Sequence, residues 1–288
     1  MEPSTIRNEA PPAPSATVVL LRDAVDDIEV FLLRRHGRSE VLGGAYVFPG
    51  GKADASDRDW IPRLDRAAQQ LHAQLGEPDL PVAEAAALFV TAIRELFEET
   101  GLLLADLSAD AARTHWTAVR GGRHFDDLLA TDARLAAAAL HPWSRWITPT
   151  LGSVGRKRFD TRFFVAAMPP GQEAGHDEHE ATDSVWLTPR AALRRYWDYG
   201  IELAPPQVMS LAHLARHRSV ASVLAAAGSR LPPCILPEAH YEDDVRVLCY
   251  PGDPVHPCAA RVLPGPTRLS WRNRRFEPEG GLAILLGD

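Results

Sequence analysis

The feature that most constrains the fold is the stretch of residues 84–104, whose pattern predicts one helix with two different faces, closing near Gly101. Counted at 100° per residue, the carboxylates of Glu95, Glu98 and Glu99 share an arc of about 100°. The apolar side chains fall between about 100° and 200° from Glu95 on the same count; they are Phe89, Ile93, Leu96 and Phe97. One face must therefore pack on a core, and the other must meet solvent or a cation, because crowded carboxylates repel one another.

Two interpretations of this carboxylate face are open. It is either a solvated acidic surface that pairs with Arg94, or a set of ligands for a hard divalent cation. A strand predicted at residues 45–48 runs into Pro49-Gly50-Gly51, where the glycines allow a turn that other residues resist. A glycine turn beside clustered carboxylates is suited to Mg²⁺ and phosphate, so the surroundings favour the cation.

The composition indicates a globular chain and argues against several classes of protein. Of its 288 residues, 45% are hydrophobic and 24% are charged, which argues against disorder. Lys and Arg number 31 against 38 Asp and Glu, a net charge of −7, whereas nucleic-acid binders need a basic face. No apolar run approaches the ~18 residues of a membrane helix. Three cysteines without a C-x-x-C pair favour neither a disulfide framework nor a zinc site.

The rest of the chain mixes strand and helix patterns. Strands are predicted at residues 17–22, 28–33, 45–48, 158–167 and 184–187, the first two as a hairpin. Helices are predicted within residues 106–142, after Thr188-Pro189, and from residue 205 to about 227. Trp143 and Trp146 are spaced for one helix face, where core packing and base stacking are both open. Residues 1–15 predict a disordered tail, and the last sixty predict small strands.

These motifs resemble the box of the Nudix hydrolase family, G-x5-E-x7-R-E-U-x-E-E-x-G-U, where U is a bulky aliphatic residue. Residues 94–102 match its second half at every fixed position, and Gly51 is followed by five residues and then Asp57 in place of glutamate. The spacer from Asp57 to Arg94 holds 36 residues against the family's seven, an insertion at about residues 58–83. The peroxisomal acyl-CoA diphosphatase branch is similar in carrying an insertion here, and it resembles this chain also at residues 44–51, 158–164 and 203–207. Its CoA signature has an arginine where this chain has Glu40.

The resemblance implies an α/β fold, a Nudix α/β/α sandwich with a mixed central sheet, helical insertions and a C-terminal extension. We expect the Nudix domain at residues 16–230 and the extension at residues 231–288. The implied cofactor is Mg²⁺ or Mn²⁺. Its implied ligands are Glu95, Glu98, Glu99 and the Gly50 carbonyl.

The implied catalytic residues are Glu98, Glu95, Arg94 and Glu180, and which carboxylate deprotonates water stays open. Arg94 is expected to orient a glutamate through a bidentate pair more than to touch substrate. Asp57 is expected to brace the loop against the helix. Glu180 is either a late acidic ligand or base, or one residue of a solvated acidic loop.

The implied reaction is metal-dependent hydrolysis of a phosphoanhydride in a nucleoside diphosphate linked to a second group. CoA or acyl-CoA is the leading substrate, giving 3′,5′-ADP and phosphopantetheine or its acyl form. The alternatives are NADH, a nucleotide sugar, a dinucleoside polyphosphate, or a Nudix module that senses a nucleotide without cleaving it. We expect a small nucleotide as partner, with no nucleic acid and no membrane, and homodimer formation is left open. Since residues 285–288 are not of the S-K-L type, we expect the cytoplasm.

A basic run precedes the strand at residues 158–167. Arg156, Lys157 and Arg158 either bind a substrate phosphate, the 3′-phosphate if the substrate is CoA, or form a solvated approach to the strand. Arg34 and Arg35 are the next candidates for substrate binding.

Overall fold

A hairpin begins the fold, as the sequence predicts. In this computed structural model, β1 (Ala13–Ala24) pairs antiparallel with β2 (Asp27–Arg35) through a two-residue turn in which Asp26 has φ 58°. The structure describes residues 8–37, 43–130, 133–151, 157–177 and 181–288. β1 begins at Ala13, so the predicted tail to residue 15 is too long. Pro14 is tolerated because it stands near the start of the strand, where its missing backbone N–H interrupts the ladder least, and its carbonyl still accepts from the Ala53 amide at 3.0 Å.

The remaining elements come in runs of strands separated by runs of helices. The other strands are β3 (Tyr46–Val47), β4 (Gly50–Lys52), β5 (His141–Ile147), β6 (Phe159–Ala167), β7 (Ala181–Leu187), β8 (Cys234–Ile235), β9 (Glu238–Glu242), β10 (Val245–Cys249), β11 (Arg268–Arg272) and β12 (Arg275–Glu277). The helices are α1 (Ala68–Leu75), α2 (Val82–Thr100), α3 (Ala109–Arg120), α4 (Pro189–Trp197), α5 (Pro205–Leu214), α6 (Val220–Gly228) and α7 (Leu282–Leu286). Short 3₁₀ helices cover Ala55–Arg63, Phe125–Ala130 and Ala137–Ala139.

The central sheet is mixed. Its strand order is β3-β2-β1-β6-β5-β8, with β4 paired to β1 and β7 paired to β2. The pairs β1–β6 and β5–β8 are parallel, and the other pairs are antiparallel. Because β8 belongs to residues 231–288, the predicted C-terminal extension starts inside this sheet.

Both faces of the sheet are buried, which confirms the predicted α/β/α sandwich. Along β1, Val18 and Leu20 point into the core under α2, while Val19 and Leu21 point into the core under α4, α5 and α6. This alternation is the two-residue period of a strand with a helix layer on each side. We call these the α2 face and the α5 face.

Helix α2 ends where the sequence predicts. Gly101 takes the left-handed conformation at φ 77°, and its amide donates to the Phe97 carbonyl at 2.8 Å. A Cβ on residue 101 would overlap the Trp116 indole, because α3 packs directly over this turn.

The helical placement predicted for Trp143 and Trp146 is wrong, whereas their packing in the core is confirmed. Both lie on strand β5, where an irregularity in pairing to β6 between Pro142 and Ser144 sends both side chains into the α5-face core. A spacing of three residues can therefore arise from a strand irregularity as well as from a helix. Core packing, one of the two alternatives for this pair, is what the structure shows, since Trp143 and Trp146 are buried.

The last sixty residues form small strands, as predicted. β9 to β12 make a four-stranded antiparallel sheet that packs on the α5 face. Tyr196 of α4 fastens it, because its hydroxyl donates to the Phe276 carbonyl and accepts from the Phe276 amide, both at 2.9 Å. Within the described residues, none of the helices has the length and apolar character needed to cross a membrane.

Candidate active site

Asp57 and Arg94 join the two halves of the box. Arg94 Nε donates to Asp57 Oδ1 at 2.7 Å and Nη2 donates to Oδ2 at 3.1 Å. Thr91 Oγ1 and the Asp54 amide donate to Oδ2 as well, at 2.7 and 2.8 Å. Asp57 is fully buried, so this fourfold satisfaction is what makes its charge tolerable there. Asp57 therefore braces the inserted 3₁₀ helix against α2, as expected.

The free end of the same guanidinium holds two box carboxylates. Arg94 Nη1 donates to Glu95 Oε1 at 2.8 Å and to Glu98 Oε2 at 3.0 Å, while Nη2 also reaches the Lys52 carbonyl at 2.9 Å. The expected bidentate pair is thus made with Asp57, and Glu95 and Glu98 share one nitrogen. Burial disfavours the charged guanidinium, but its bond to Asp57 and the two glutamates outweigh burial and raise the pKa of Arg94.

The third carboxylate faces the glycine strand. Glu99 is buried, and its Oε2 accepts from the Gly50 amide at 2.9 Å. A Cβ on residue 51 would overlap the Glu95 carboxylate, so only glycine lets β4 lie this close to α2. Gly50 thus contacts the helix through its amide, and a role for its carbonyl as a metal ligand stays a prediction.

The donor chemistry of this cluster suits a hard divalent cation. Glu95 and Glu98 already turn toward one positively charged nitrogen, and three carboxylates on one helix face are the oxygen ligands that Mg²⁺ and Mn²⁺ prefer. As the side chains stand, no three His, Cys, Asp or Glu groups of the described residues are arranged around a common metal position. Arg94 holds one oxygen each of Glu95 and Glu98, and the Gly50 amide holds one oxygen of Glu99, so a metal that binds these carboxylates would have to share them with these donors.

Arg35 lies beside the cluster, as its candidate role requires. It lines a small cavity with Glu99 and Asp177, and its Nε is buried without a hydrogen-bond acceptor among the described residues. The Asp177 amide donates to the Glu99 carbonyl at 3.0 Å, which ties the acidic loop to α2. Arg34 is exposed on the same strand. Glu180 lies outside the described residues.

The basic run divides into different environments. Arg158 donates from Nε to the Thr148 carbonyl at 3.0 Å and from Nη1 to the Ala10 carbonyl at 2.9 Å, so its guanidinium fastens the N-terminal segment. Lys157 is exposed and lines a cavity on the α5 face. Arg156 lies outside the described residues.

That cavity holds residues that the sequence did not single out. It has a volume of about 240 Å³ and lies between the central sheet, the start of α5 and the C-terminal sheet. Gln207 and Arg246 are the polar groups of interest in its wall. Gln207 stands in a segment that resembles the acyl-CoA diphosphatase branch, which was a usable signal, whereas nothing near Arg246 in the sequence marks it.

Comparison with known proteins points to one family. The family model described as the NUDT19 Nudix domain matches residues 5–214. The chain is 28% identical over 277 residues to acyl-coenzyme A diphosphatase NUDT19 of Xenopus laevis, covering 80% of this chain and 72% of the relative. It is 30% identical over 281 residues to the protein of the same name from Gallus gallus, covering 80% and 73%. A solved NUDIX hydrolase from Alicyclobacillus acidocaldarius superposes with a TM-score of 0.55 at 25% identity, covering 78% of this chain and 98% of that one.

Proposed function

Since this chain belongs to the NUDT19 Nudix domain family, we propose that it hydrolyses the phosphoanhydride bond of CoA or acyl-CoA. The products are 3′,5′-ADP and phosphopantetheine or its acyl form. The relatives named acyl-coenzyme A diphosphatase support the substrate class. One observation supports the chemistry: Glu95 and Glu99 of α2 lie directly against the Gly50-Gly51 strand, and Arg94 holds Glu98 beside Glu95.

In the proposed site, Glu95, Glu98 and Glu99 hold Mg²⁺ or Mn²⁺. The bound metal supplies neutralisation of the phosphate oxygens and acidification of water. Asp57 fixes the guanidinium of Arg94 from below, and Arg94 in turn fixes the directions of the Glu95 and Glu98 carboxylates. Arg94 is therefore a positioning residue in this proposal, because its buried pair with Asp57 prevents its guanidinium from turning toward the substrate.

Arg35 is proposed to contact the substrate diphosphate. It stands beside Glu99 with a buried Nε that lacks an acceptor among the described residues, and a phosphate oxygen would satisfy that donor. Glu180 is retained as a proposed late acid or base, and a cytoplasmic location stays a prediction.

The test is a substrate panel run with Mg²⁺, with Mn²⁺ and with EDTA. CoA, a short acyl-CoA, NADH, a nucleotide sugar and a dinucleoside polyphosphate are each incubated with the protein, and products are separated by chromatography. We expect 3′,5′-ADP from CoA or acyl-CoA as the fastest product and none in EDTA. Faster cleavage of another nucleotide overturns the proposal that CoA or acyl-CoA is the substrate. Binding without cleavage of any nucleotide in the panel indicates a sensor.

A matched pair of variants tests the site itself. Glu98→Gln removes a ligand whose effect is greatest when charge develops in the transition state, so kcat should fall by at least ~10² with the fold intact. Glu84→Gln is the control, since Glu84 lies on the same helix but pairs with Arg58 at the surface. Near-wild-type turnover of Glu98→Gln at saturating Mg²⁺ would show that the proposed active site is wrong.

A further inference from the structure

The cavity on the α5 face contains two polar groups that nothing in the described chain satisfies. Gln207 is 8% exposed, and its Oε1 has no donor. Arg246 Nε is buried and has no acceptor. Buried polar atoms in folded proteins almost always have a partner, so this wall offers a polar ligand one acceptor, Gln207 Oε1, and one donor, Arg246 Nε.

Arg246 is also without a carboxylate. Among the described residues no Asp or Glu forms an ion pair with it, and its guanidinium instead lies over the Phe276 ring at 5.6 Å. Burial lowers the pKa of Arg246, which shows how poorly its charge is compensated. A half-buried cation facing a cavity without a counter-charge is stabilised by an anionic ligand.

Most of the remaining wall is apolar, although Lys157 and three threonines also line the cavity. Aromatic rings of Trp146, Phe159 and Phe163 come from the central sheet, and Phe276 comes from the C-terminal sheet. Such walls suit a planar base, which gains burial and stacking from each ring. The volume of about 240 Å³ is somewhat below the ~300 Å³ of pockets that hold whole drug-sized ligands, so it suits one end of a larger substrate.

The cavity adjoins the candidate active site through β1. Thr17 lines the cavity and is the register partner of Gly50, whose amide contacts Glu99. A substrate that binds at both places must therefore extend from Gly50 on the α2 face past the β1–β4 pair to the cavity on the α5 face.

We propose that this cavity binds the nucleoside end of the substrate and that Arg246 pairs with a second anionic group on its ribose. In this arrangement a base amine donates to Gln207 Oε1 and the aromatic walls enclose the base. A hydrocarbon chain in the same cavity would leave both Gln207 and Arg246 unsatisfied, which is why the nucleoside end is favoured. The inference rests on the proposed function and deepens it, because it assigns substrate specificity to the C-terminal extension.

The test measures binding in EDTA, so that it does not depend on hydrolysis. Titration calorimetry compares 3′,5′-ADP with 5′-AMP, two nucleotides that differ by one ribose phosphate. We expect wild type to prefer 3′,5′-ADP by roughly ten- to a hundredfold, the range of a charge-assisted contact. Arg246→Met should abolish the preference and Arg246→Lys should retain part of it. Arg272→Met is the control, since Arg272 is exposed on neighbouring β11 and outside the cavity.

Two results overturn the inference. One is equal binding of the two nucleotides by wild type. The other is a preference that survives in Arg246→Met while circular dichroism shows a native fold. If Arg246→Met instead tightens binding of an acyl-pantetheine, the cavity holds the apolar chain and the inference is again wrong. A protein that shows the preference but cleaves nothing in the substrate panel fails only the proposed function.

Discussion

Arg94 and Arg246 place the same side chain in opposite circumstances on the two faces of one sheet. On the α2 face, Arg94 donates to three carboxylates and one carbonyl. On the α5 face, Arg246 has no acceptor for its buried Nε in the described chain. Further buried polar atoms on this face also have no partner among the described residues, including Gln207 Oε1, Ser210 Oγ, His213 Nδ1 and Tyr250 Oη.

The contrast separates residues that position from residues that bind. Every N–H donor of the Arg94 guanidinium is engaged, so none is left to bind the substrate. Arg94 therefore holds the neighbouring carboxylates in position. A buried guanidinium with an unsatisfied donor destabilises the protein. A ligand that accepts from that donor recovers this free energy, so Arg246 is suited to bind one. On the α2 face Arg35, whose Nε is also unsatisfied, is the exception and is accordingly placed with the substrate.

Breaking the satisfied face should have the largest effect on stability. Asp57→Asn removes a buried charge from a network that also holds Arg94, Thr91 and the Asp54 amide. Unfolding by urea should show a loss of about 3 kcal/mol, at the low end for a broken buried pair because Arg94 keeps its glutamates. The control is Asp110→Asn, which breaks the exposed ion pair between Asp110 and Arg113 on α3 and should hardly change the midpoint. Equal midpoints for the two variants would show that Asp57 is not the brace described here.

A metal ion should compete with Arg94 for the same carboxylates. At a hundred times its dissociation constant, a ligand specific to the native state adds about 2.7 kcal/mol, and lost contacts to Arg94 reduce this gain. We expect a thermal midpoint raised by a few degrees in millimolar Mg²⁺ or Mn²⁺, and a smaller rise in Glu98→Gln. Sodium chloride at matched ionic strength is the control. An unchanged wild-type midpoint with both metals would contradict metal binding by these carboxylates.

The unsatisfied face should respond to pH through His213. Burial, assisted by Arg230, His217 and Arg216, lowers the pKa of His213 to about 3. The unfolded chain takes up this proton near pH 6.5, so stability is full above that value and falls as the pH drops from 6.5 toward 3, by up to ~1.4 kcal/mol per pH unit.

Urea unfolding at pH 7.5 and 5.5 checks this expectation. His213→Phe keeps a ring against Trp143 and should reduce the loss of stability at low pH by about 1 kcal/mol. A matched change at exposed His124 should leave the loss as in wild type. The idea is wrong if the two variants respond to pH alike.

Local patterns explain what the sequence predicted well. The faces and end of α2, the hairpin and the Thr188 cap depend on residues a few positions apart, and these predictions are confirmed. A helix was wrongly predicted at Trp143 and Trp146 because a strand irregularity produces the same three-residue spacing as a helix face. The surroundings of Arg246 could not be predicted, since they combine β10, the start of α5 and the central sheet through tertiary packing alone.

The Asp57–Arg94 pair has a consequence for chain length. Lengthening the segment between two fixed points from seven residues to 36 raises the entropic cost of closing the loop by only roughly 1.5 kcal/mol, because that cost grows with the logarithm of the length. Breaking the buried Asp57–Arg94 pair, in which Asp57 also accepts from two further donors, would cost more than this change. The segment between these residues is thus free to gain or lose whole helices in evolution, and a pattern of fixed spacing would overlook descendants that keep the attachment point.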